Sequence, residues 1–438
     1  MRIHRPLIRT AAIALVAACV LVLVPGSLAR GDAGVEARAH GEIREVGSLR
    51  VLRIWGTAKE RGYAHGYFLG DEIVRLLNGY LEEITPGEEG AKLYEEKARA
   101  MLRTMAVAPR FKEELEGMLS GIRAKLPDGG HLSRLGRAIE YDDLVTINCI
   151  PEISRVACSS FAVWGPLTKD GDTISGRNLD WHSLRALEGG QILIVQIPDA
   201  SEKQIAWVSV TWPGFIGCLT GMNAEGVSVC MHDVHTDGPS MPIGFTPRGL
   251  SLRQVIESAH AETAAKDGRD ILSKCLSRVG NNVVLSAPYL AGRSRPSIVF
   301  EYDGSMFDSS GVTVRAAAVA GKKKADPGFQ IATNHYRKRA EPEPCDRYAR
   351  LNEQLSAVSK ESKRLDVDGA WRLLASVAQE TPPGKRGLLT YHSVVFEPNA
   401  RRMHVAISRD GKSAPHCPVV AIDLADLLQS RSVQAAGN

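Results

Sequence analysis

Three groups at close spacing carry the chemistry in this chain: the Cys158 thiol, the Arg177 guanidinium and the Asp180 carboxylate. Cys158 heads an apolar, strand-like run that ends at Phe161-Ala162-Val163-Trp164. After the polar turn Lys169-Asp170-Gly171-Asp172, a second run from Thr173 to Gly176 delivers Arg177 and Asp180 three residues apart. Two such runs around a turn read as a hairpin, which brings Arg177 and Asp180 back beside Cys158. A thiol next to a fixed guanidinium is favoured as thiolate, and a carboxylate in the same place orients an amine. A lone cysteine in an apolar run is more often a small buried hydrophobe. The Arg177-x-x-Asp180 step behind it shifts the reading to a nucleophile that attacks acyl groups.

The elements that must position these groups change character at Cys158. Val46 to Trp55 reads as a strand ending at Gly56, after a loose tail over residues 30–42. Apolar residues at helical spacing predict helices over 58–84, 91–105, 109–125 and 141–150, so residues 43–157 read as a helical N-terminal lobe. From Cys158 onward short β-rich runs are expected, including Phe215 to Leu219 and Val227 to His232, followed by helices over 251–265 and 270–279. Strands over 283–286, 297–302, 312–314 and 329–333, helices over 346–358 and 367–377, and strands over 390–396 and 403–408 complete the pattern. Runs of strands, then helices, then strands imply helices layered on antiparallel sheets, an α+β plan for residues 158–438.

The composition, 44% hydrophobic and 24% charged over 438 residues, is that of a soluble globular protein. A net charge of +4 argues against nucleic-acid binding through bulk charge. Residues 1–29 read as a signal peptide: Arg2, His4, Arg5 and Arg9 precede an apolar run from Ala11 to Pro25, and Ser27-Leu28-Ala29 offers a cleavage site. Lipoprotein processing at Cys19 is the alternative, as is an uncleaved anchor, although the run is short for a span. An exported protein is expected, periplasmic or secreted, with membrane contact only if that segment is retained or lipidated. Seven of the eight cysteines lie beyond it, without CxxC spacing, which argues against a structural metal site. Cys218 and Cys230 flank the Asn223–Gly226 turn, and both a disulfide and two buried free thiols are open there. The pair His232-x-x-His235 lacks a third ligand nearby, His65 reads as a packing residue, and Lys322-Lys323-Lys324 reads as a solvated loop.

The ordered set Cys158-Ser159-Ser160-Phe161, Gly176-Arg177-Asn178-Leu179-Asp180, Asn334 and Arg347, with Glu60-Arg61-Gly62-Tyr63-Ala64-His65-Gly66 upstream, resembles the isopenicillin-N acyltransferase-type cysteine peptidases. More distantly it is similar to acid ceramidase, N-acylethanolamine acid amidase and the choloylglycine hydrolases. Residues Gly221–Val227, Thr333–Tyr336 and Ser393–Phe396 extend the resemblance over about residues 43–408. These are N-terminal-nucleophile hydrolases, so the resemblance implies a four-layer αββα domain and self-cleavage of the Ala157–Cys158 bond. Cleavage would free an α-amino group, whose pKa of about 8 suits it as general base toward its own thiol. The resemblance further implies that Asp180 holds that amine, Arg177 lies beside the nucleophile, and Asn334 donates to the oxyanion. The backbone near His232 would supply a second donor, and Arg347 a supporting role. His232 and His335-Tyr336 depart from the usual residues at those places. The implied substrate is a linear acyl amide or lipid-like amide, hydrolysed or transferred through a Cys158 thioester without a cofactor. The rivals are a thiol hydrolase with His182 or His335 as base and no self-cleavage, and a catalytically silent binding protein of the same fold.

Overall fold

A turn at Gly47, which takes the positive φ of 58° that such a turn requires, splits the first predicted strand into a hairpin. Strand β1 (Gly41–Val46) pairs antiparallel with β2 (Leu49–Gly56), so the expected loose tail ends where β1 begins. The computed structural model describes residues 40–84, 87–153, 157–236, 243–290, 295–305, 311–316, 328–361 and 363–429. The signal segment, Cys19 and Lys322–Lys324 lie outside the described residues.

After the hairpin come helices α1 (Ala58–Ile84), α2 (Gly87–Leu102) and α3 (Pro109–Lys125), the small hairpin β3 (His131–Leu132) and β4 (Arg137–Ala138), and short helices α4 (Tyr141–Ile147) and α5 (Ile150–Ile153). Strands β5 (Ala157–Val163), β6 (Ile174–His182), β7 (Ile192–Pro198), β8 (Trp207–Thr211), β9 (Thr220–Asn223) and β10 (Ser228–Val234) follow. Helices α6 (Arg248–Ile256) and α7 (Ala264–Leu272) lead to β11 (Gly280–Ser286), β12 (Ser297–Tyr302), β13 (Thr313–Ala316) and β14 (Phe329–Ala332). Helices α8 (Asp346–Lys360) and α9 (Val367–Ser376), strands β15 (Leu388–Glu397), β16 (Arg402–Ile407) and β17 (Val420–Asp423), and the turn α10 (Leu424–Leu428) close the fold.

The strands form a nine-stranded sheet, β1-β2-β7-β8-β9-β10-β11-β12-β13, and a six-stranded sheet, β14-β5-β6-β15-β16-β17. Their inner faces share one core, in which Val51, Val195, Val208 and Val284 meet Val394, Phe396, Met403 and Val405. Leu351, Leu355, Leu373 and Leu374 of α8 and α9 cover Phe161, Ile331 and Val395 on the outside of the smaller sheet. Leu252, Val255 and Ile256 of α6 and Leu272 of α7 cover Val229, Met231, Val283 and Leu285 on the larger one. The architecture is thus α+β, with two facing sheets between helical layers.

The described residues 40–429 belong to one compact unit. Strand β2 adds in parallel to β7, and Leu52 and Ile54 share a core with Ile73 and Leu77 of α1, Leu115 and Ile122 of α3, and Ile192 and Ile194 of β7. The Gly62-x-x-x-Gly66 spacing now has a cause: a Cβ at either position would collide with the Glu114 or Met118 carbonyl of α3. Gly117 and Gly121 of α3 face the Lys59 and Tyr63 carbonyls in the same way, so the two helices meet backbone to backbone.

One expected strand is absent. Phe215 to Leu219 is not strand, because side chains take its backbone groups. His65 Nε2 accepts from the Gly214 N–H at 2.9 Å, while Asn148 accepts from Ile216 N–H at 2.8 Å and donates to the Gly214 carbonyl at 3.0 Å.

Candidate active site

Strand alternation sorts the candidate residues onto two faces. The β5–β6 register pairs Ser160 with Arg177, Cys158 with Leu179 and Ala157 with Asp180. Cys158 and Arg177 therefore point between the sheets, whereas Ala157 and Asp180 point to the α8 side. The hairpin brings both residues to Cys158, but from opposite faces: Arg177 shares the thiol's face, whereas Asp180 reaches it through its backbone, because residues three apart on a strand face opposite ways. All three side chains are fully buried.

Between the sheets, the Arg177 guanidinium donates to the Met231 carbonyl at 2.7 Å. Its Nε and second terminal nitrogen are buried and have no hydrogen-bond partner among the described residues. Burial pushes the Cys158 thiol up, and Arg177 is the largest influence in the opposite direction. An arginine buried without a carboxylate on its own face is costly unless an anion arrives, and the Cys158 side chain lies on that face. Cys218 and Cys230 are free, buried thiols, not a disulfide. Cys230 also feels Arg177, but burial pushes its thiol up to about 12.

The backbone of Cys158 is held by side chains. Strand β14 pairs with β5 only as far as Ala332 opposite Ser160. One step further on, Asn334 Oδ1 accepts from the Cys158 N–H at 2.8 Å, and Arg347 donates to the Cys158 carbonyl at 2.7 Å. Arg347 also donates to Asn334 Oδ1 at 2.8 Å and to Asp180 at 3.1 Å, while Asn334 Nδ2 donates to the Asp233 carbonyl at 2.6 Å. These partners fix which end of the Asn334 amide is oxygen. In the intact chain that oxygen holds the nitrogen that cleavage would turn into the α-amine. Arg347, expected in a supporting role, holds the Cys158 carbonyl, Asn334 and Asp180 together. Asp180 accepts a 2.6 Å bond from Thr390 on the neighbouring strand. Burial raises the Asp180 carboxyl to about 6, against Arg347, Thr390 and Arg177.

The His232 side chain is fully buried between the sheets. Its Nε2 meets Ser160 Oγ at 2.8 Å and its Nδ1 meets the Asn282 carbonyl at 3.2 Å. Burial and Arg177 hold it well below the usual histidine range, so it stays neutral. His182, two residues beyond Asp180 on β6, is on the α8 side, and His335 pairs with Glu343 at 3.2 Å. Among the described hydrogen bonds neither histidine reaches the thiol. Tyr336 donates to the Tyr302 carbonyl at 2.7 Å and is structural.

A cleft of about 580 Å³ opens beside Ala157, lined by Asn334, Arg347 and Leu388 together with Asp233 and His235 at the end of β10. On the thiol's side, Cys158 shares an apolar cluster with Leu179, Trp181, Trp212 and Phe215.

Sequence reasoning missed Asn282. Its amide donates to the Thr333 and His335 carbonyls, both at 2.9 Å, and so clamps the backbone on either side of Asn334. The available signal was a pair of amides, Asn281-Asn282, opening an apolar strand, where a polar side chain must find buried partners. Asn282→Ala is expected to slow formation of the cleaved chain about 10- to 100-fold, as two lost bonds of about 1 kcal/mol each would. A time course of fragment formation beside circular dichroism checks this, since the fold should persist.

No family model matches the chain. It is 25% identical over 251 residues to an uncharacterized protein of Archaeoglobus fulgidus, an alignment that covers 51% of this chain and 39% of that protein. Protein dcd1B of Dictyostelium discoideum is 27% identical over 213 residues, with 45% and 41% covered. The chain thus spans about 40% of the length of these two curated relatives. Among solved structures it is similar to an ortholog of N-acylethanolamine-hydrolyzing acid amidase from Caenorhabditis elegans, at 19% identity and TM-score 0.39, covering 55% of this chain and 93% of that one. Penicillin V acylase from Agrobacterium tumefaciens aligns at 15% identity and TM-score 0.40, covering 63% and 88%. Likeness at this level carries no functional argument; the geometry around Cys158 does.

Proposed function

We propose that the chain is an exported N-terminal-nucleophile hydrolase that cleaves a linear acyl amide through a thioester on Cys158, after cutting its own Ala157–Cys158 bond. The observation that carries the reading is Arg177, buried among the described residues without a counter-ion on the thiol's face and with two nitrogens that none of those residues partners. In self-cleavage, Sγ attacks the Ala157 carbonyl carbon, and the amide nitrogen leaves as the Cys158 α-amine, taking up the thiol proton. Water then hydrolyses the thioester, leaving a carboxylate on Ala157 and a free thiol. Asn334 Oδ1, already on that nitrogen, orients the amine. Arg347 ties Asn334 to Asp180, which places a carboxylate near the amine's positive charge.

With a substrate the same groups act in the same order. The α-amine takes the thiol proton, Sγ attacks the amide carbon, and the proton passes to the departing amine. Water resolves the thioester; an amine in its place would make the enzyme an acyltransferase. The unoccupied donors of Arg177 lie on the thiol's face, where negative charge develops. Mass spectrometry of the purified protein tests the reading. The wild type is expected to give two fragments, the larger beginning at Cys158, and Cys158→Ala a single unbroken chain. An unbroken wild type that still hydrolyses acyl amides would remove the free-amine mechanism.

A further inference from the structure

The segment that leads into the proposed cut is held by two arginines that the chemistry above does not use. Glu152, on the short helix α5, precedes Ala157 by five positions. It is buried, and its Oε1 accepts the Arg248 N–H at 2.7 Å, which sets a carboxylate at the N-terminus of α6, where the helix dipole favours it. The Arg248 side chain, also buried, lies 3.6 Å from that carboxylate and donates to the neighbouring Pro151 carbonyl. Arg278 donates to the Glu152 carbonyl. A single turn of helix has no stability of its own, so these bonds fix where the chain sets out towards Ala157.

Arg248 reaches the other side of the bond as well. Its guanidinium donates to Asp233 Oδ1 at 2.6 Å, and the Asp233 carbonyl accepts from Asn334 Nδ2 at 2.6 Å. Asn334 Oδ1 in turn accepts the Cys158 N–H at 2.8 Å. One buried side chain is thus tied on one arm to the chain before Ala157 and on the other to the group that holds the leaving nitrogen. In the uncut chain the thiol's target is a carbonyl of its own backbone. Such an attack depends on how closely the two are held, and a misplacement of about 1 Å costs about 100-fold. A substrate that arrives after the cut has no such tether. We propose that Arg248, with Glu152 and Arg278, is the positioning device of self-cleavage, clamping α5 so that the Ala157 carbonyl is presented to Sγ. It acts on this first reaction and not on later turnovers. The inference rests on the self-cleavage reading above.

Cell-free synthesis of the full chain, sampled over time by mass spectrometry, tests it. Glu152→Ala removes the carboxylate from both α6 and Arg248 and is expected to slow fragment formation about 100-fold. Arg278 is half-buried, so Arg278→Ala spares the core. It should slow the cut about tenfold, the scale of one lost charge-assisted bond, and Arg278→Lys should restore part of the rate. Chains that do become cut are then treated with iodoacetamide, and labelling of Cys158 should proceed at the wild-type rate in every variant. A general loosening of the fold would change both readouts together. If Glu152→Ala yields no folded chain, the Arg278 pair decides. Fragment formation at the wild-type rate in Arg278→Ala, or altered labelling of the cut chains, would overturn the proposal. An uncut wild type would overturn the self-cleavage reading itself, so the two failures are told apart.

Discussion

Arg177→Met is expected to slow fragment formation and amide hydrolysis by about 100- to 1000-fold while leaving the melting temperature unchanged or higher. The two halves of this result have one cause. Arg177 is fully buried, and among the described residues its guanidinium bonds the Met231 carbonyl alone. A methionine of similar length fills the space between Val394, its neighbour across β15, and Ser160 across β5, without a cation to desolvate. Buried charges replaced by apolar groups are often neutral or stabilising. The thiol loses its main support, because burial favours the neutral form and Arg177 is the largest opposing influence. Its alkylation in the processed chain should therefore move to higher pH. A purely structural arginine would give the opposite pattern, with a lower melting temperature and an unchanged alkylation profile. Differential scanning calorimetry beside the pH dependence of iodoacetamide labelling separates the two.

Much of this site was legible because its centre is local. Cys158 and Arg177 lie on adjacent strands joined by a short polar turn, and period-two alternation places them on one face. The same alternation, applied with care, would have put Asp180 on the other face, since it lies an odd number of residues from Arg177. Asn334 and Arg347 are 176 and 189 residues from Cys158 in the chain, and no local pattern connects them. Only the ordered resemblance reached them. The α+β layering followed from element order, but the place of residues 43–157 did not. Helical periodicity showed that α1 has an apolar face, not that β2 would pair in parallel with β7. The Cys218–Cys230 question was open because spacing limits which thiols can meet without fixing how their side chains point. Gly62 and Gly66 were legible as a motif, while their reason, the α3 carbonyls against them, belongs to packing.

Under the proposed self-cleavage, that packing decides whether the two fragments stay together. Glu114 on α3 receives two hydrogen bonds from Arg253 on α6, at 2.8 and 2.7 Å, and lies 3.9 Å from Arg61 on α1. Arg61 also donates to Glu202 at 2.9 Å, and Arg110 pairs with Glu257 at 2.6 Å. Burial alone would raise the Glu114 carboxyl, but Arg253 and Arg61 outweigh it and hold it below the usual range. Arg61, Arg110 and Glu114 precede the Ala157–Cys158 bond, whereas Glu202, Arg253 and Glu257 follow it. The two fragments should therefore co-elute as one species on size exclusion and separate only in denaturant. Glu114→Leu leaves Arg253 with Glu257 and Arg61 with Glu202 as their remaining described carboxylates in a buried site, which is expected to cost about 3 kcal/mol. Urea unfolding should show that loss, and the cut protein should come apart on the column. The pair Glu114→Leu with Arg253→Met should recover much of the stability, because it removes the buried opposite charges together. If the single variant unfolds like the wild type, the β2–β7 pairing and the α1–α3 contact carry the association without the ion pairs. A double variant as weak as the single one would mean that Arg61, left between α1 and Glu202, dominates the network.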